Sequence, residues 1–151
     1  MNKRSLIYTL ALLGCCAGPL PASAAPDGAA LFQQTCAACH GADGTGIPGL
    51  APPLANPELW STLGPQAPRY LAQVMTGGLS GTITSAGVTY SALVMPPQSQ
   101  ISAADLALIS GYVLGTLNGG KLYPSQAEIE DARAQPLPRS ELRQWRNGKK
   151  P

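Results

Sequence analysis

Residues 35–44 read TCAACHGADG and place Cys36, Cys39 and His40 close together in the chain. His40 is the only histidine among the 151 residues. Two cysteines at this spacing are typical of a redox-active disulfide or of part of a zinc site. A histidine directly after them is typical of covalent haem attachment. The rest of the sequence has to distinguish these three chemistries.

The N-terminal residues have the pattern of an export signal. A positively charged start precedes LIYTLALLG (6–14), an apolar run that is too short to span a bilayer. The triplet ASA (22–24) fits the small-x-small pattern of signal-peptidase cleavage. We therefore expect a signal peptide at 1–24, a mature chain that begins at Ala25, and a soluble protein in the periplasm.

Lipid anchoring is a second interpretation of the leader. LLGC (12–15) resembles a lipobox, in which Cys15 would become a lipidated N-terminus. Under signal-peptidase cleavage, Cys15 and Cys16 are instead small apolar residues of a discarded leader. Either route exports the chain, and no later stretch predicts a transmembrane helix.

Export leaves Cys36, Cys39 and His40 as the soft metal ligands of the chain. They are too few for a zinc site, which requires about four ligands. A thioredoxin-like motif usually opens a helix after a buried strand, whereas APDGAALFQQT (25–35) reads as a short helix with Asp27 as its N-cap. The CxxCH pattern therefore predicts one haem c, attached through Cys36 and Cys39, with His40 as the proximal iron ligand.

The sixth ligand of such an iron has two candidates in the exported chain, Met75 and Met95. Met75 lies in RYLAQVMTGG (69–78), where apolar residues recur at helical spacing, so we expect it in the core. Met95 is followed by two prolines, which hold the backbone extended. A thioether on a stiff loop suits an axial ligand, and we predict Met95. The alternative is a loop methionine packed on the haem edge.

These segments resemble the class I c-type cytochromes over roughly residues 27–118. DGAALFQQTCAACHGADGTG (27–46) is similar to the family's first helix and haem-attachment segment. IPGLAPPL (47–54) is similar to the loop whose proline carbonyl accepts a hydrogen bond from the proximal histidine, and Pro52 matches that proline best. MPP (95–97), followed by SAADLALISGYV (102–113), is similar to the distal-ligand loop and the final helix.

The resemblance also implies a crossing of the first and last helices. Gly28 and Phe32 match the glycine and aromatic residue that the family uses where these helices meet. Ile109 and Tyr112 match the partner residues on the last helix. Gly28 is accordingly expected to serve close packing without a role in the site.

The predicted fold is all-α, a cytochrome c-like haem-wrapping domain at 25–120 with a C-terminal helical extension. Capping and apolar periodicity predict helices over 28–35, near 67–76, and from Ser102 to the Asn-Gly-Gly stop at 118–120. GTITSAGVTY (81–90) allows a brief turn or hairpin, but no alternating strand of useful length appears.

The C-terminal extension, 121–151, contains SQAEIEDARAQ (125–135), which starts with a Ser125–Glu128 capping box. PLPRSELRQWR (136–146) predicts another turn or two of helix. The segment has too few apolar residues for a core of its own. Its net charge is positive, whereas the haem region is net negative. It is either a strap on the haem domain or a docking arm for an acidic partner.

The residue chemistry indicates an electron carrier and not an enzyme. No paired carboxylates, nucleophile–base pair or phosphate loop stands out, and no feature indicates nucleic-acid binding. We predict single-electron transfer from a periplasmic dehydrogenase or respiratory complex to an oxidase or reductase. The alternatives are a haem subunit of a multi-subunit periplasmic oxidoreductase, or a haem sensor with a weak or absent sixth ligand.

Overall fold

The computed structural model describes residues 27–149. The predicted signal peptide at 1–24 and the lipobox cysteine Cys15 lie outside the described residues. Within 27–149, no helix has the length and apolar character that a membrane crossing requires.

The CxxCH motif lies near the start of the described chain, where the first two helices meet. The elements are α1 (Gly28–Thr35), α2 (Ala37–His40), α3 (Pro57–Leu63), α4 (Ala67–Gly77), β1 (Leu79–Ser85), β2 (Val88–Met95), α5 (Ala103–Ser110), α6 (Gln126–Ala134) and α7 (Arg139–Arg146). A 3₁₀ turn at Gly64–Gln66 precedes α4, and a π-helical turn at Gly111–Thr116 continues α5.

Helices α1 and α5 cross at Gly28. Asp27 caps α1 by accepting a hydrogen bond from the Ala30 N–H at 2.7 Å. A β-carbon at Gly28 would overlap the Leu108 carbonyl oxygen, so only glycine lets the two backbones approach this closely. Phe32 is fully buried, and its ring centroid lies 5.1 Å from that of Tyr112. The predicted crossing of these helices is confirmed.

The all-α prediction is incomplete because β1 and β2 form an antiparallel two-stranded sheet. The strands pair from Leu79 opposite Met95 to Ser85 opposite Val88, with an irregularity between Gly81 and Ile83. Ile83 is buried on the inner face, and the sequence had indicated at most a brief hairpin here. The ladder fixes Met95 at the end of β2, beside the start of β1.

Helix α3 is a second element that the sequence analysis did not predict. Asn56 caps it by accepting a hydrogen bond from the Leu59 N–H, and Pro57 occupies its first position. Both features favour a helix start. Leu59, Trp60 and Leu63 turn inward and are buried.

The C-terminal helices share the core of the haem region. The Ser125–Glu128 capping box starts α6 as predicted. Helix α6 packs on α4 and α5, and α7 packs on α3, α4 and β1. Ile129 and Leu142 are 0% exposed and belong to the same apolar cluster as Phe32. The chain between Thr116 and Gln126, where the predicted boundary at residue 120 falls, is irregular.

Candidate haem site

A cavity of about 280 Å³ lies between the CxxCH segment, α3, α4, the hairpin, α5 and the end of α7. All four predicted site residues, Cys36, Cys39, His40 and Met95, line it. Most of the remaining wall is apolar. It includes Leu50, Ala51, Pro52, Pro53, Leu54, Leu59, Trp60, Leu71, Val74, Met75, Leu79, Val94, Pro96, Leu106, Ile109 and Val113.

The two cysteines are presented by the junction of α1 and α2. The Cys36 N–H continues α1 by donating to the Phe32 carbonyl at 2.8 Å, and the Cys36 carbonyl accepts from the His40 N–H at 2.9 Å. Both cysteines are free thiols, with Cys36 half-buried and Cys39 exposed. Burial raises the pKa of Cys36, partly offset by its hydrogen bond with Thr35. Two thiols on one cavity wall suit addition to a ligand in that cavity.

His40 is buried and its imidazole orientation is fixed by Pro52. Nδ1 lies 2.9 Å from the Pro52 carbonyl oxygen. Because a carbonyl can only accept, Nδ1 carries the hydrogen and Nε2 retains its lone pair for a metal. Burial lowers the pKa of His40, and the Pro52 hydrogen bond opposes this in part. The neutral imidazole is therefore favoured, and Pro52 is confirmed as the hydrogen-bond partner.

The loop that carries Pro52 is folded back tightly against His40. The Gly46 N–H donates to the His40 carbonyl at 2.7 Å, and Ile47 and Ala51 form an antiparallel bridge. Gly46 has φ +78°, and a β-carbon there would lie 2.6 Å from the Pro53 nitrogen. Only glycine tolerates both this positive φ and this close approach of the backbone. The resulting tight loop holds the Pro52 carbonyl in one position.

The two methionines occupy different environments, although both line the cavity. Met75 is 4% exposed in α4, and the Ser110 hydroxyl lies 4.0 Å from its sulfur. Met95 is half-buried at the end of β2 and paired with Leu79. The Gln98 N–H donates to the Met75 carbonyl at 2.8 Å, so the segment after Met95 is also fixed to α4.

Tyr70 and Arg146 form a polar part of the cavity wall that the sequence analysis did not identify, and Ser85 and Asn56 lie behind Arg146, outside the lining. The Arg146 Nη2 donates to Ser85 Oγ at 2.6 Å, and Asn56 Nδ2 lies 3.2 Å from the same oxygen. Tyr70 is 2% exposed, and burial raises its pKa while the nearby Arg146 charge lowers it. Tyr70 and Arg146 both line the cavity.

A comparison with known families identifies the chain. The family model described as Cytochrome c matches residues 25–116. The chain belongs to the cytochrome c family. It is thus an electron-transfer haem protein, and membership implies a covalently bound haem c for which Cys36 and Cys39 have the required spacing.

Curated relatives of this cytochrome agree with the family. It is 36% identical to a cytochrome c-552 of Thermus thermophilus over 112 residues, which cover 74% of this chain and 70% of that protein. A second Thermus thermophilus cytochrome c-552 is 36% identical over 88 residues, covering 58% of this chain and 65% of the relative. The Cbb3-type cytochrome c oxidase subunit CcoP of Cereibacter sphaeroides is 31% identical over 102 residues, covering 66% of this chain and only 30% of CcoP.

The residues of this cytochrome fit a haem better than the other two chemistries. Among residues 27–149, no group of three or more His, Cys, Asp or Glu side chains could hold a metal ion, as a structural zinc site would require. A neutral imidazole, two thiols and two thioethers instead surround an apolar space. A porphyrin needs this combination of soft ligands and apolar walls.

Tyr70 and Arg146 of this cytochrome escaped the sequence analysis for different reasons. Tyr70 lies in a predicted helix, but nothing local shows that its hydroxyl is buried at the cavity. Arg146 reads as one of several cations in a charged segment. Its position follows from the packing of α7, in which Leu142 and Trp145 are buried. The spacing of Leu142 and Trp145 is the sequence signal from which the packing of α7 against the core could have been predicted.

Proposed function

We propose that the chain is a periplasmic mono-haem c-type cytochrome that transfers single electrons between redox partners. Cys36 and Cys39 would hold the haem covalently, and His40 and Met95 would be the axial ligands. The observation that carries this proposal is the meeting of the CxxCH residues and Met95 in one apolar cavity. When bound, the haem supplies a one-electron redox couple, and a thioether ligand raises its reduction potential.

The choice of Met95 over Met75 rests on their surroundings. The Met75 sulfur already faces the Ser110 hydroxyl inside the core of α4 and α5. The Met95 backbone, by contrast, is held from three sides. Leu79 pairs with it, Pro96 follows it, and Gly78 packs so closely that a β-carbon there would lie 2.6 Å from the Met95 carbonyl oxygen. A ligand on such a backbone needs little rearrangement between oxidation states.

The protein's own contribution to electron transfer is positioning and exclusion of water. Pro52 keeps the His40 ring in one orientation and one tautomer. Leu71, Val74 and Ile109 provide apolar walls. If His40 and Met95 both held the iron, they would leave no position for a substrate, which favours relay of electrons over catalysis at the iron.

The rim of the cavity suits brief contact with redox partners. Val94 is 75% exposed and Leu50 is 52% exposed, and both line the cavity at its surface. The lining residues include no lysine among those described. Small apolar contacts of this kind are typical of weak and transient electron-transfer encounters. The proposed donor is a dehydrogenase or respiratory complex, and the proposed acceptor is an oxidase or reductase.

A second candidate is a haem subunit of a multi-subunit periplasmic oxidoreductase. The similarity to CcoP, which is named as an oxidase subunit, favours it. Size-exclusion chromatography of native extracts separates the two: a free carrier elutes at the size of the chain, and a subunit elutes with a large complex.

The ligand assignment is tested by exchanging each methionine in the haem-loaded protein. In Met95→Ala we expect loss of the near-infrared sulfur-to-iron absorption band and a lower reduction potential, because the thioether ligand is removed. The matched control is Met75→Ala, which should retain the band. Loss of the band in Met75→Ala alone would reverse the assignment. A high-spin wild-type spectrum with ready carbon monoxide binding would instead support the haem sensor.

A further inference from the structure

The hairpin formed by β1 and β2 is divided by a bulge. Gly81 lies opposite Leu93, and the next pair is Ile83 opposite Tyr90. β2 therefore contributes two residues between these pairs and β1 only one, and Ala92 in the longer stretch has φ +56°. An extra residue interrupts the ladder locally. The register set by the turn is thus carried only weakly to the end of the hairpin that holds the proposed iron ligand.

A side chain of α7 holds the Met95 end of the hairpin from outside the sheet. The Arg143 Nη1 donates to the Ser80 carbonyl at 2.6 Å. The same guanidinium packs against Gly81, where an added β-carbon would lie 3.2 Å from Nη1. Ser80 is paired with Val94, the residue before Met95. Arg143 therefore contacts β1 on the Met95 side of the bulge.

Helix α7 gives Arg143 a rigid base. Leu142 is 0% exposed and Trp145 is 2% exposed, so α7 is anchored in the core next to Arg143. Arg139, one turn earlier on α7, donates to the Gly77 carbonyl at 3.2 Å. The two arginines thus tie α7 to the segment where α4 passes into β1.

The connection from β1 to Met95 is short. Leu79 pairs with Met95 and is 4% exposed. A β-carbon at Gly78 would lie 2.6 Å from the Met95 carbonyl oxygen. Because the two backbones are in such close contact, a displacement of residues 78–80 would move the Met95 backbone as well. A thioether that has to stay on an iron tolerates little displacement of this kind.

We propose that Arg143 is a positioning residue for the Met95 ligand: its bond to Ser80 holds β1, and β1 holds Met95 at the cavity. The proposal rests on the proposed function, since it requires Met95 on a haem iron. Arg143 is not among the described residues that line the cavity, so it acts through the hairpin without contact with the cofactor. Helix α7 then helps to keep the sixth coordination position closed.

Carbon monoxide measures how firmly the sixth position is held. It binds ferrous haem iron where no protein ligand occupies that position. Its apparent affinity therefore rises with the fraction of molecules in which Met95 has left the iron. In Arg143→Gln we expect that affinity to rise about tenfold, the effect of losing one hydrogen bond from a charged group.

The test compares Arg143→Gln with Arg69→Gln in the haem-loaded protein. Arg69 carries the same charge and also contacts α7, but it lies over the Trp145 ring, at 5.4 Å. Both variants lose one positive charge and weaken the packing of α7, so a merely structural role predicts equal carbon monoxide affinities. We expect the full rise in Arg143→Gln alone and a partial rise in Arg143→Lys, which retains a cationic donor. Equal affinities in the two Gln variants would overturn the proposal.

The Met95→Ala background separates positioning from general loosening of the pocket. With the ligand removed, Arg143 has nothing to position, so adding Arg143→Gln should leave the carbon monoxide affinity of Met95→Ala unchanged. A further rise of similar size in this background would mean that the substitution opens the pocket by another route, and the proposal would be wrong.

Hydrogen exchange of haem-loaded Met95→Ala keeps the proposal testable if Arg143→Gln does not fold. Arg143 is intact in this protein. The paired amides at its end of the hairpin (79–81 and 93–95) should therefore stay more protected than those beyond the bulge. If their protection falls to the level of the turn end, the iron holds the hairpin in place, which is the reverse of the proposal.

The absorption spectrum distinguishes failure of this proposal from failure of the proposed function. If the expressed chain carries no covalent haem, or lacks the sulfur-to-iron band, the proposed function fails. If the band is present and depends on Met95, while Arg143→Gln and Arg69→Gln bind carbon monoxide alike, only the role of Arg143 is wrong.

Discussion

Gly28 is the residue at which a single added methyl group should separate two helices. A β-carbon there would overlap the Leu108 carbonyl oxygen and approach the Tyr112 β-carbon at 3.2 Å. In Gly28→Ala, α1 and α5 must move apart, which weakens the contact between Phe32 and Tyr112. We expect a loss of about 1–3 kcal/mol in the free energy of unfolding, the range for overpacked sites.

Denaturant unfolding of the haem-loaded protein measures this loss. Gly111→Ala is the matched control because Gly111 follows α5 directly and the nearest atoms to an added β-carbon lie 3.8 Å away, in the Tyr123 ring. An alanine in that open helical position should be neutral or stabilising by up to about 1 kcal/mol. If both variants unfold alike, close approach is not the reason for glycine at position 28.

At the scale of single residues, the sequence predicted the part of the site that is local. Cys36, Cys39 and His40 follow one another on α1 and α2, so their spacing alone brings them together. Pro52 was found through the resemblance, and the 2.9 Å contact bears it out. Tyr70 and Arg146 are far apart in sequence and meet only through packing, which no local pattern encodes.

Among the elements, the start of α6 depends on a capping box whose stability changes with pH. The Glu128 carboxylate accepts hydrogen bonds from the Ser125 N–H and hydroxyl, each at 2.8 Å. The backbone bond and then the side-chain bond lower the pKa of Glu128. Because the folded pKa is below the unfolded one, this stabilisation is present above the usual pKa of Glu128. It is lost as the pH falls through the lowered value.

Ser125→Ala removes the hydroxyl from this box and should cost about 1 kcal/mol of stability at neutral pH. The difference from wild type should shrink as the pH falls through the lowered pKa of Glu128. Denaturant unfolding at neutral pH and near pH 3 measures it. Ser140→Ala, an exposed serine in α7, is the control and should be neutral at both pH values. A difference that grows in acid would contradict the capping box.

The hairpin and α3 show why some elements were missed. Ser85 is 5% exposed on the inner face of β1, so a polar residue stands where an alternating strand should show an apolar one. Its hydroxyl is satisfied by Asn56 and Arg146, both distant in sequence. The start of α3, by contrast, carried a readable local signal in Asn56 and Pro57 that the sequence predictions did not use.

For the whole molecule, the main question is whether the last helices belong to the core or only lie on it. The cytochrome c family model ends at residue 116, yet α6 and α7 contribute the fully buried Ile129 and Leu142. Gln73 of α4 also accepts a hydrogen bond from the Leu137 N–H and donates one to the Gln135 carbonyl. These contacts join the extension to the haem region by both apolar packing and hydrogen bonds.

A chain that ends at Gly120 should therefore be strongly destabilised. Burial of an aliphatic side chain such as Ile129 or Leu142 stabilises a fold by about 1.5–3 kcal/mol. The truncated chain loses both of these contributions and that of the buried Trp145. That sum is a large share of the roughly 5–15 kcal/mol that holds a domain folded. Thermal unfolding of the haem-loaded proteins, followed by the haem absorption, gives the comparison. A chain that ends at Gly148 is the control and should melt with wild type. An unchanged midpoint after removal of both helices would mean that they are an independent arm, free to serve a partner instead of the haem pocket.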